Sequence, residues 1–274
     1  MPITTDLGGK NYVLGRGRLY FDRFTPAQVA AGIVAATRGE GERYIGNSPE
    51  FGFTSSEEKL DHYDSDTGVK TKDDSVPLQL DRTGTFKTEN IDVGNIALLL
   101  LSSGASTVTQ TAQTAQTFLV PGAKQGLFYQ IGATASLPAG VRSISNVVVK
   151  KGAGFTTTVT AATNYEVDEV RGRIIILAGS SAIPDNTDLQ VTYDIAATSR
   201  EQVISGNTSI YGALRFVSDN PKGKNRDYYM PYVKLAPDGD YALKGDSWQQ
   251  IGFTMELLKK ASNIEAIYAD GIPV

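Results

Sequence analysis

The chain has 274 residues, a formal net charge of −4 and a hydrophobic fraction of 41%. That balance excludes an intrinsically disordered chain, which combines few apolar residues with high net charge, and the lack of cysteine excludes disulfides, thiolate catalysis and thiolate metal sites. No stripe of lysine and arginine is present to neutralise phosphates, so nucleic-acid binding is not expected, and the longest apolar run is far below the roughly 20 residues that span a bilayer.

The first element in the chain is a predicted helix over residues 26–36, because Pro26 suits the first turn of a helix. The next is a strand in which Val76, Leu78 and Leu80 alternate with polar residues. This period of two predicts a half-buried strand with the three apolar side chains on its core face.

A second helix is predicted over residues 91–101, which are mostly apolar. Capping oxygens precede it at residues 88–90, and Gly104 follows it as a stop signal. Because residues 98–101 are apolar all round, we expect this helix to be well covered.

The middle of the chain contains short β-branched runs separated by turn residues, a pattern typical of a sandwich or barrel. Polar, low-complexity sequence at 102–117 and 196–207 predicts linkers on either side. We therefore divide the chain into a core domain of residues 1–104 and 200–274 and an inserted β-rich module of residues 105–199. The strands predicted in the module cover residues 147–149, 156–160, 173–177 and 189–193.

The last clear strand has Ile251, Phe253, Met255 and Leu257 on one face and polar residues on the other. It is predicted to be half-buried, like the strand at residues 76–85. The fold class is therefore mainly β, an antiparallel sandwich or half-barrel with one flanking α-helix and an additional inserted β module.

Residues 61–74 invite a catalytic or metal-binding interpretation that their setting does not favour. Asp66 opens an Asp-Thr-Gly triplet, but aspartic proteases place that triplet between apolar strands so that two carboxylates share a proton, and this segment is polar. Its aspartates lack the alternate spacing of a calcium-binding loop, and His62 is the only histidine. We predict no catalytic residue, no metal site and no cofactor, and expect a polar loop here.

A series of short motifs occurs in a distinctive order. It resembles the order in the major tail tube proteins of long-tailed, siphovirus-type bacteriophages, over roughly residues 11–101 and 205–270. The motifs are GRGRLYF at 15–21, ERYIGNSPEF at 42–51, EEKLDH at 57–62, TGTF at 83–86, LRFVSDNPKG at 214–223, MPYVKL at 230–235 and WQQIGFT at 248–254.

The resemblance implies a structural, non-enzymatic subunit of a virion tail. Such subunits form hexameric rings that stack into a tube in the host cytoplasm, and each contributes a sheet to a continuous inner barrel. The implied partners are further copies of the chain, the tape-measure protein and the tail terminator and distal tail proteins. Genomic DNA passes through the lumen without specific binding, no membrane is involved, and the inserted module is expected on the tube exterior.

The resemblance also suggests roles for two sets of residues. The polar faces of the two alternating strands are expected to line the lumen, where an acidic or neutral surface keeps DNA mobile because like charges repel. Residues 57–75 have the position and polarity of the loop that reaches the next ring. The lumen candidates are Glu50, Asp81, Thr83, Thr85, Gln250, Thr254 and Glu256, and the inter-ring candidates are Glu57, Glu58, Asp61, Asp64, Asp66, Lys70, Lys72, Asp73 and Asp74.

Two other functions fit the residues alone. A β-sandwich module for binding carbohydrate or a host surface would use tyrosine-rich loops and acidic clusters equally well. A hydrolase built on Asp66 is the third hypothesis.

Overall fold

The structure, a computed structural model, describes residues 11–31, 38–66 and 68–272. The described chain is mainly β, with several antiparallel sheets and few helices. It divides into two compact units, the first formed by Met1–Ala105 with Val203–Val274 and the second by Ser106–Gln202.

The strands account for most of the regular structure. In chain order they are β1 (Gly17–Arg23), β2 (Glu42–Tyr44), β3 (Glu50–Asp64), β4 (Thr71–Thr88), β5 (Ala105–Gln110), β6 (Gln113–Ala123), β7 (Phe128–Gln130), β8 (Ile144–Lys151), β9 (Thr157–Val159), β10 (Tyr165–Asp168), β11 (Arg173–Ile176), β12 (Thr187–Ile195), β13 (Thr198–Val203), β14 (Ile210–Ser218), β15 (Arg226–Asp238), β16 (Ile251–Leu257) and β17 (Tyr268–Gly271).

The first unit is built on one antiparallel sheet with the strand order β2-β1-β14-β15-β16-β4-β3, and β17 pairs with β15. The sheet is curled, as a contact between two of its distant strands shows. Phe51 on β3 stacks on Phe216 of β14 with ring centroids 5.4 Å apart. In a flat sheet, four strand steps would separate those two strands by about 19 Å. The curled sheet therefore has the predicted form of a half-barrel.

The core of the first unit lies inside this curl. Ile251, Phe253, Met255 and Leu257 are all buried, which confirms the face predicted for β16. Phe253 stacks on Phe86 of β4 with centroids 5.0 Å apart. The buried aliphatic residues of β1, β14 and β15 complete the same cluster.

The two α-helices of the described residues are shorter than predicted. α1 (Pro26–Ala30) begins with a capping box in which the Gln28 amide donates to Thr25 Oγ1 at 3.2 Å and the Thr25 amide donates to Gln28 Oε1 at 2.8 Å. Residues 32–36 of the predicted helix lie outside the described residues. In the part of the chain that the structure describes, no helix is both long and apolar enough to cross a membrane.

The prediction for the second helix was wrong about where the helix starts and about how completely it is buried. α2 (Val93–Leu99) is capped by Asp92, whose carboxylate accepts from the Asn95 amide at 2.7 Å. Thr88, predicted as a capping residue, instead donates its hydroxyl to the Ile45 carbonyl at 3.0 Å. Leu100 follows the helix and is 36% exposed, so the apolar end is covered on one side only.

Residues 57–75 form a regular hairpin and not the predicted loop. β3 and β4 pair from Glu50 opposite Lys87 out to Asp64 opposite Thr71. β16 pairs with β4 only as far as Thr83, so from there on β3 is the one neighbour of β4 among the described strands. We call residues 55–82 the ribbon. At about 3.3 Å per residue, its ten residues of β3 extend about 33 Å.

The half-buried strand predicted at residues 76–80 was wrong. Val76, Leu78 and Leu80 lie on the ribbon and are 51%, 60% and 52% exposed. They also do not share one face, because the register shifts by one residue between Glu58 and Lys59. Such a bulge reverses the facing of the residues beyond it. Apolar residues at alternate positions identify the apolar face of a strand, but they do not show that the same subunit buries that face.

The second unit is a β-sandwich with its own core. One sheet has the order β6-β12-β8-β9 and the other β10-β11-β7. The fully buried Val149, Ile174, Leu189 and Val191 belong to its hydrophobic cluster. The four strands predicted in this region are all present as β8, β9, β11 and β12.

The two predicted linkers were wrong, because strands occupy most of the first and half of the second. β5 and β6 occupy most of residues 102–117, and β13 lies within 196–207. β5 and β13 pair with each other, so the chain enters and leaves the second unit through adjacent strands. Threonine-rich polar sequence suits a strand once a partner supplies the hydrogen bonds of the ladder.

Replacing Phe253 with alanine should lower the free energy of unfolding of the isolated chain by about 3–5 kcal/mol, because it leaves a cavity against Phe86. Replacing Leu78 with alanine should change it by less than about 0.5 kcal/mol, because that side chain is exposed. Urea denaturation followed by circular dichroism measures both. A comparable loss in the two variants would contradict the exposed position of the ribbon.

Candidate functional site

A polar face covers one side of strands β15, β16, β4 and β3. The ladder aligns its side chains in rows, because residues directly opposite each other in paired strands share a face. We call this surface the polar face. Its three rows are Lys234-Glu256-Thr83-Thr54, Ala236-Thr254-Thr85-Gly52 and Asp238-Gly252-Lys87-Glu50.

The structure brings the predicted lumen residues to this one face. Glu50, Thr83, Thr85 and Glu256 are exposed and Thr254 is half-buried. Asp81 continues the face along β4 onto the ribbon, where its carboxylate accepts from Gln79 Nε2 at 2.7 Å. That this face lines the lumen of a tube stays a prediction.

Gln250 lies just before β16 at the end of the polar face. Its Nε2 donates to Glu89 Oε1 at 3.0 Å, and Asn47 Nδ2 donates to the other oxygen of Glu89 at 2.5 Å. Gln250 therefore belongs to a hydrogen-bonded cluster that ties the loops before β3 and after β4 to the start of β16.

The charges of the polar face leave it weakly acidic. Lys87 pairs with Glu50 at 3.0 Å and Lys234 pairs with Glu256 at 3.3 Å. Two further carboxylates, Asp81 and Asp238, make no ion pair with a described residue, so four carboxylates and two ammonium groups give a net charge of −2. Exposed pairs of this kind contribute little to stability, typically below about 1 kcal/mol. The polar face therefore does not attract anions.

The ribbon carries all the predicted inter-ring residues, and one of its faces is neutralised by ion pairs. Glu57, Lys59, Asp61 and Lys72 lie on this face, with contacts of 3.0 Å between Lys59 and Glu57 and 2.5 Å between Lys72 and Asp61. We call it the paired face.

The opposite face of the ribbon is acidic and includes an apolar pair. Leu60 lies directly opposite Val76, with Glu58 on one side and the pair of His62 and Asp74 on the other. Asp64 lies farther toward the tip on the same face. None of these three carboxylates makes an ion pair with the residues that the structure describes. We call this surface the acidic face.

The remaining candidates lie near the tip. His62 Nδ1 is 2.6 Å from Asp73, which occupies a second register shift of the hairpin. The Asp66 amide donates to Asp64 Oδ1 at 2.9 Å. Lys70 and Asp66 are exposed, and Thr67 of the Asp-Thr-Gly triplet lies outside the described residues. Among the described residues, no group of three or more histidine or acidic side chains is arranged to hold a metal ion.

Sequence reasoning missed a second surface on the first unit, which we call the aromatic groove. Phe53 packs against Tyr228 with ring centroids 5.9 Å apart, and the ring centroid of Phe216 lies 6.4 Å from that of Tyr228. The alternation of Phe51 and Phe53 was a signal of one aromatic face. Their partners on β14 and β15 come far later in the chain, so only the curl of the sheet reveals the groove.

The fold and these surfaces define a mainly β protein with a sandwich unit and a curled sheet that extends into an exposed ribbon. Residues 13–268 match the family described as protein of unknown function UCP028589, and the chain belongs to that family. None of the curated proteins matches it. The family description assigns no activity, so functional inference rests on the surfaces described above.

The ion pair between Asp61 and Lys72 sets the pH response of the paired face. Hydrogen bonds from Lys72 and Ser75 lower the pKa of Asp61 from its ordinary 3.8, and the same carboxylate raises the pKa of Lys72 above 10.5. A lowered carboxyl pKa favours the folded ribbon above the ordinary value, and that contribution is lost as the pH falls through the lowered pKa. The lysine contribution is present below its ordinary pKa and is lost as the pH rises through the raised pKa.

Replacing Lys72 with methionine should raise the pKa of Asp61 back toward 3.8, because the main hydrogen-bond donor and its positive charge are both removed. The pKa of Asp168 in the other unit, held at about 2 chiefly by Arg173, should not change and serves as the internal control. Carboxyl carbon chemical shifts measured by NMR across the acid range report both values. An Asp61 titration that the substitution leaves unaltered would show that the pair does not form in solution.

Proposed function

We propose that this protein is a structural subunit that assembles into stacked hexameric rings, forming a bacteriophage tail tube whose polar lumen conducts the viral genome. The observation that carries the proposal is the ribbon. Along residues 55–66 every side chain of β3 and its tip is exposed, and a two-stranded hairpin is at best marginally stable in water. A ribbon of about 33 Å is therefore expected to be stabilised by another subunit.

The open edges of the half-barrel also support association. β2 and β3 are the end strands of the main sheet, and each leaves one side of its backbone without a partner strand among the described residues. Unpaired edges favour pairing with another chain, and closure into a barrel removes them. In the proposed ring, six curled sheets join edge to edge into one continuous barrel.

The polar face supports the role in conducting DNA. Its hydroxyl groups and its net negative charge give no anchor for phosphates, which bind to clusters of lysine and arginine. A surface of this kind lets DNA pass without specific binding. The further partners of the proposed tube are the tape-measure protein, which the lumen carries as well as the DNA, and the tail terminator and distal tail proteins.

The ribbon can be removed at a point that the ladder defines. Thr54 lies directly opposite Thr83, so an Asn-Gly turn can replace residues 55–82 and join the two strands. We expect this variant to remain folded, because the core of the unit is untouched, but to form no tubes. Negative-stain microscopy of the purified wild type should show hollow tubes or six-fold rings.

Circular dichroism of the shortened variant provides the control for folding. Tubes formed without the ribbon would contradict its role in assembly. A wild-type protein that stays monomeric at high concentration and binds sugars would instead support the adhesion hypothesis.

The lumen assignment has its own test, in phage carrying Asp81→Lys together with Glu256→Lys. The two substitutions change the net charge of the polar face from −2 to +2, so DNA ejection should slow while tubes remain intact. A matched control is Glu166→Lys with Glu201→Lys, two exposed residues of the second unit. Dye-monitored DNA release measures the rate. Equal ejection rates in intact tubes of both variants would show that the polar face does not line the lumen.

A further inference from the structure

The aromatic groove consists of two adjoining cavities of about 660 and 620 Å³. Both are lined by Gly15, Phe216 and Tyr228, so they form one continuous depression on the first unit. Phe51 and Phe53 line the second cavity and complete an aromatic floor. A groove with such a floor is suited to apolar side chains from another segment.

The charge of the groove is of one sign. Four cationic side chains line it, Arg16, Lys222, Lys224 and Arg226, and no acidic residue is among the described residues that line it. None of the four makes an ion pair with a described residue. The three cations at residues 222–226 are all exposed. The groove therefore offers an apolar floor beside an uncompensated positive rim.

The acidic face of the ribbon has the complementary pattern. Leu60 and Val76 form a cross-strand apolar pair, with Glu58 and Asp74 beside it and Asp64 farther toward the tip. None of the three carboxylates has an ion-pair partner among the described residues. Residues 57–74 contain seven carboxylates and three lysines in total. Since two of those lysines are engaged on the paired face, the negative charge is concentrated on the acidic face.

We propose that the aromatic groove of one subunit receives the acidic face of the ribbon of a second copy. Leu60 and Val76 lie on the aromatic floor, and the three carboxylates meet the rim at residues 222–226. The inference rests on the proposed function and deepens it, because it names the surface to which the ribbon binds.

The groove is assigned to the ribbon of a second copy because the ribbon extends away from the groove of its own subunit. The ribbon begins two residues after Phe53, at the rim of its own groove, and extends away from it for about 33 Å. Its acidic face therefore lies far from the groove of its own subunit. Contact between two different surfaces is heterologous, and such contacts propagate into rings or open helical assemblies. That geometry suits a stacked tube.

The test exchanges the charges of the two surfaces. A ribbon variant carries Glu58→Lys and Asp74→Lys, and a groove variant carries Lys222→Glu and Lys224→Glu. Each variant alone places like charges together, so the protein concentration needed for assembly should rise at least about tenfold. An equimolar mixture should assemble, because alternating copies of the two variants place each ribbon against a groove of opposite charge. One chain with all four substitutions should also assemble.

Sedimentation and negative-stain microscopy provide two separate readouts. Glu166→Lys with Glu201→Lys, which makes the same charge change as the ribbon variant on the second unit, should assemble normally. Normal assembly of the groove variant alone overturns the groove assignment, and so does a mixture that fails to restore assembly. If the wild type forms tubes in the same experiment, the proposed function is unaffected by that result. Rescue of association by charge exchange, in particles that are not tubes, supports the contact and contradicts the tail tube. A wild type that does not associate overturns both.

Discussion

The antiparallel pairing of β3 with β4 is the constraint on which the surfaces of the first unit depend. At its base the hairpin belongs to the sheet, where Phe86 stacks on Phe253 and β16 supplies a third strand. Beyond Thr83 the same two strands pair only with each other in the part of the chain that the structure describes. One continuous ladder therefore joins a buried core, the polar face and an exposed ribbon, and a change of register at the base would alter all three.

The register shifts within the ribbon decide what each of its faces offers. Because one residue is inserted between the pairs at Glu58 and Lys59, Val76 lies on the face of Leu60, while Leu80 lies on the opposite face. Each face therefore carries apolar side chains among charged ones. A strand buried on one side would keep its apolar residues together, so this distribution suits a ribbon that contacts protein on both sides.

The small net charge of the chain conceals two patches of opposite sign. The carboxylates of the acidic face and the cations at residues 222–226 belong to the same folded unit, but the length of the ribbon separates them. Complementary patches on one chain favour head-to-tail association and oppose side-by-side contact between like surfaces. The acidic face continues the weakly acidic polar face along the ladder, because Thr54, Ser56 and Glu58 lie on the same side of β3.

The sequence by itself determined the elements whose local pattern matches their final environment, such as the buried face of Ile251, Phe253 and Met255 and the strands of the second unit. It also determined that Asp81, Thr83 and Thr85 share one polar face. It did not determine what covers an apolar residue, so Leu78 was predicted to be half-buried. Only the tertiary structure decided that residues 102–117 pair as strands, that a bulge reverses the ribbon, and that Phe53 meets Tyr228. These features depend on partners remote in the chain, and local periodicity carries no information about them.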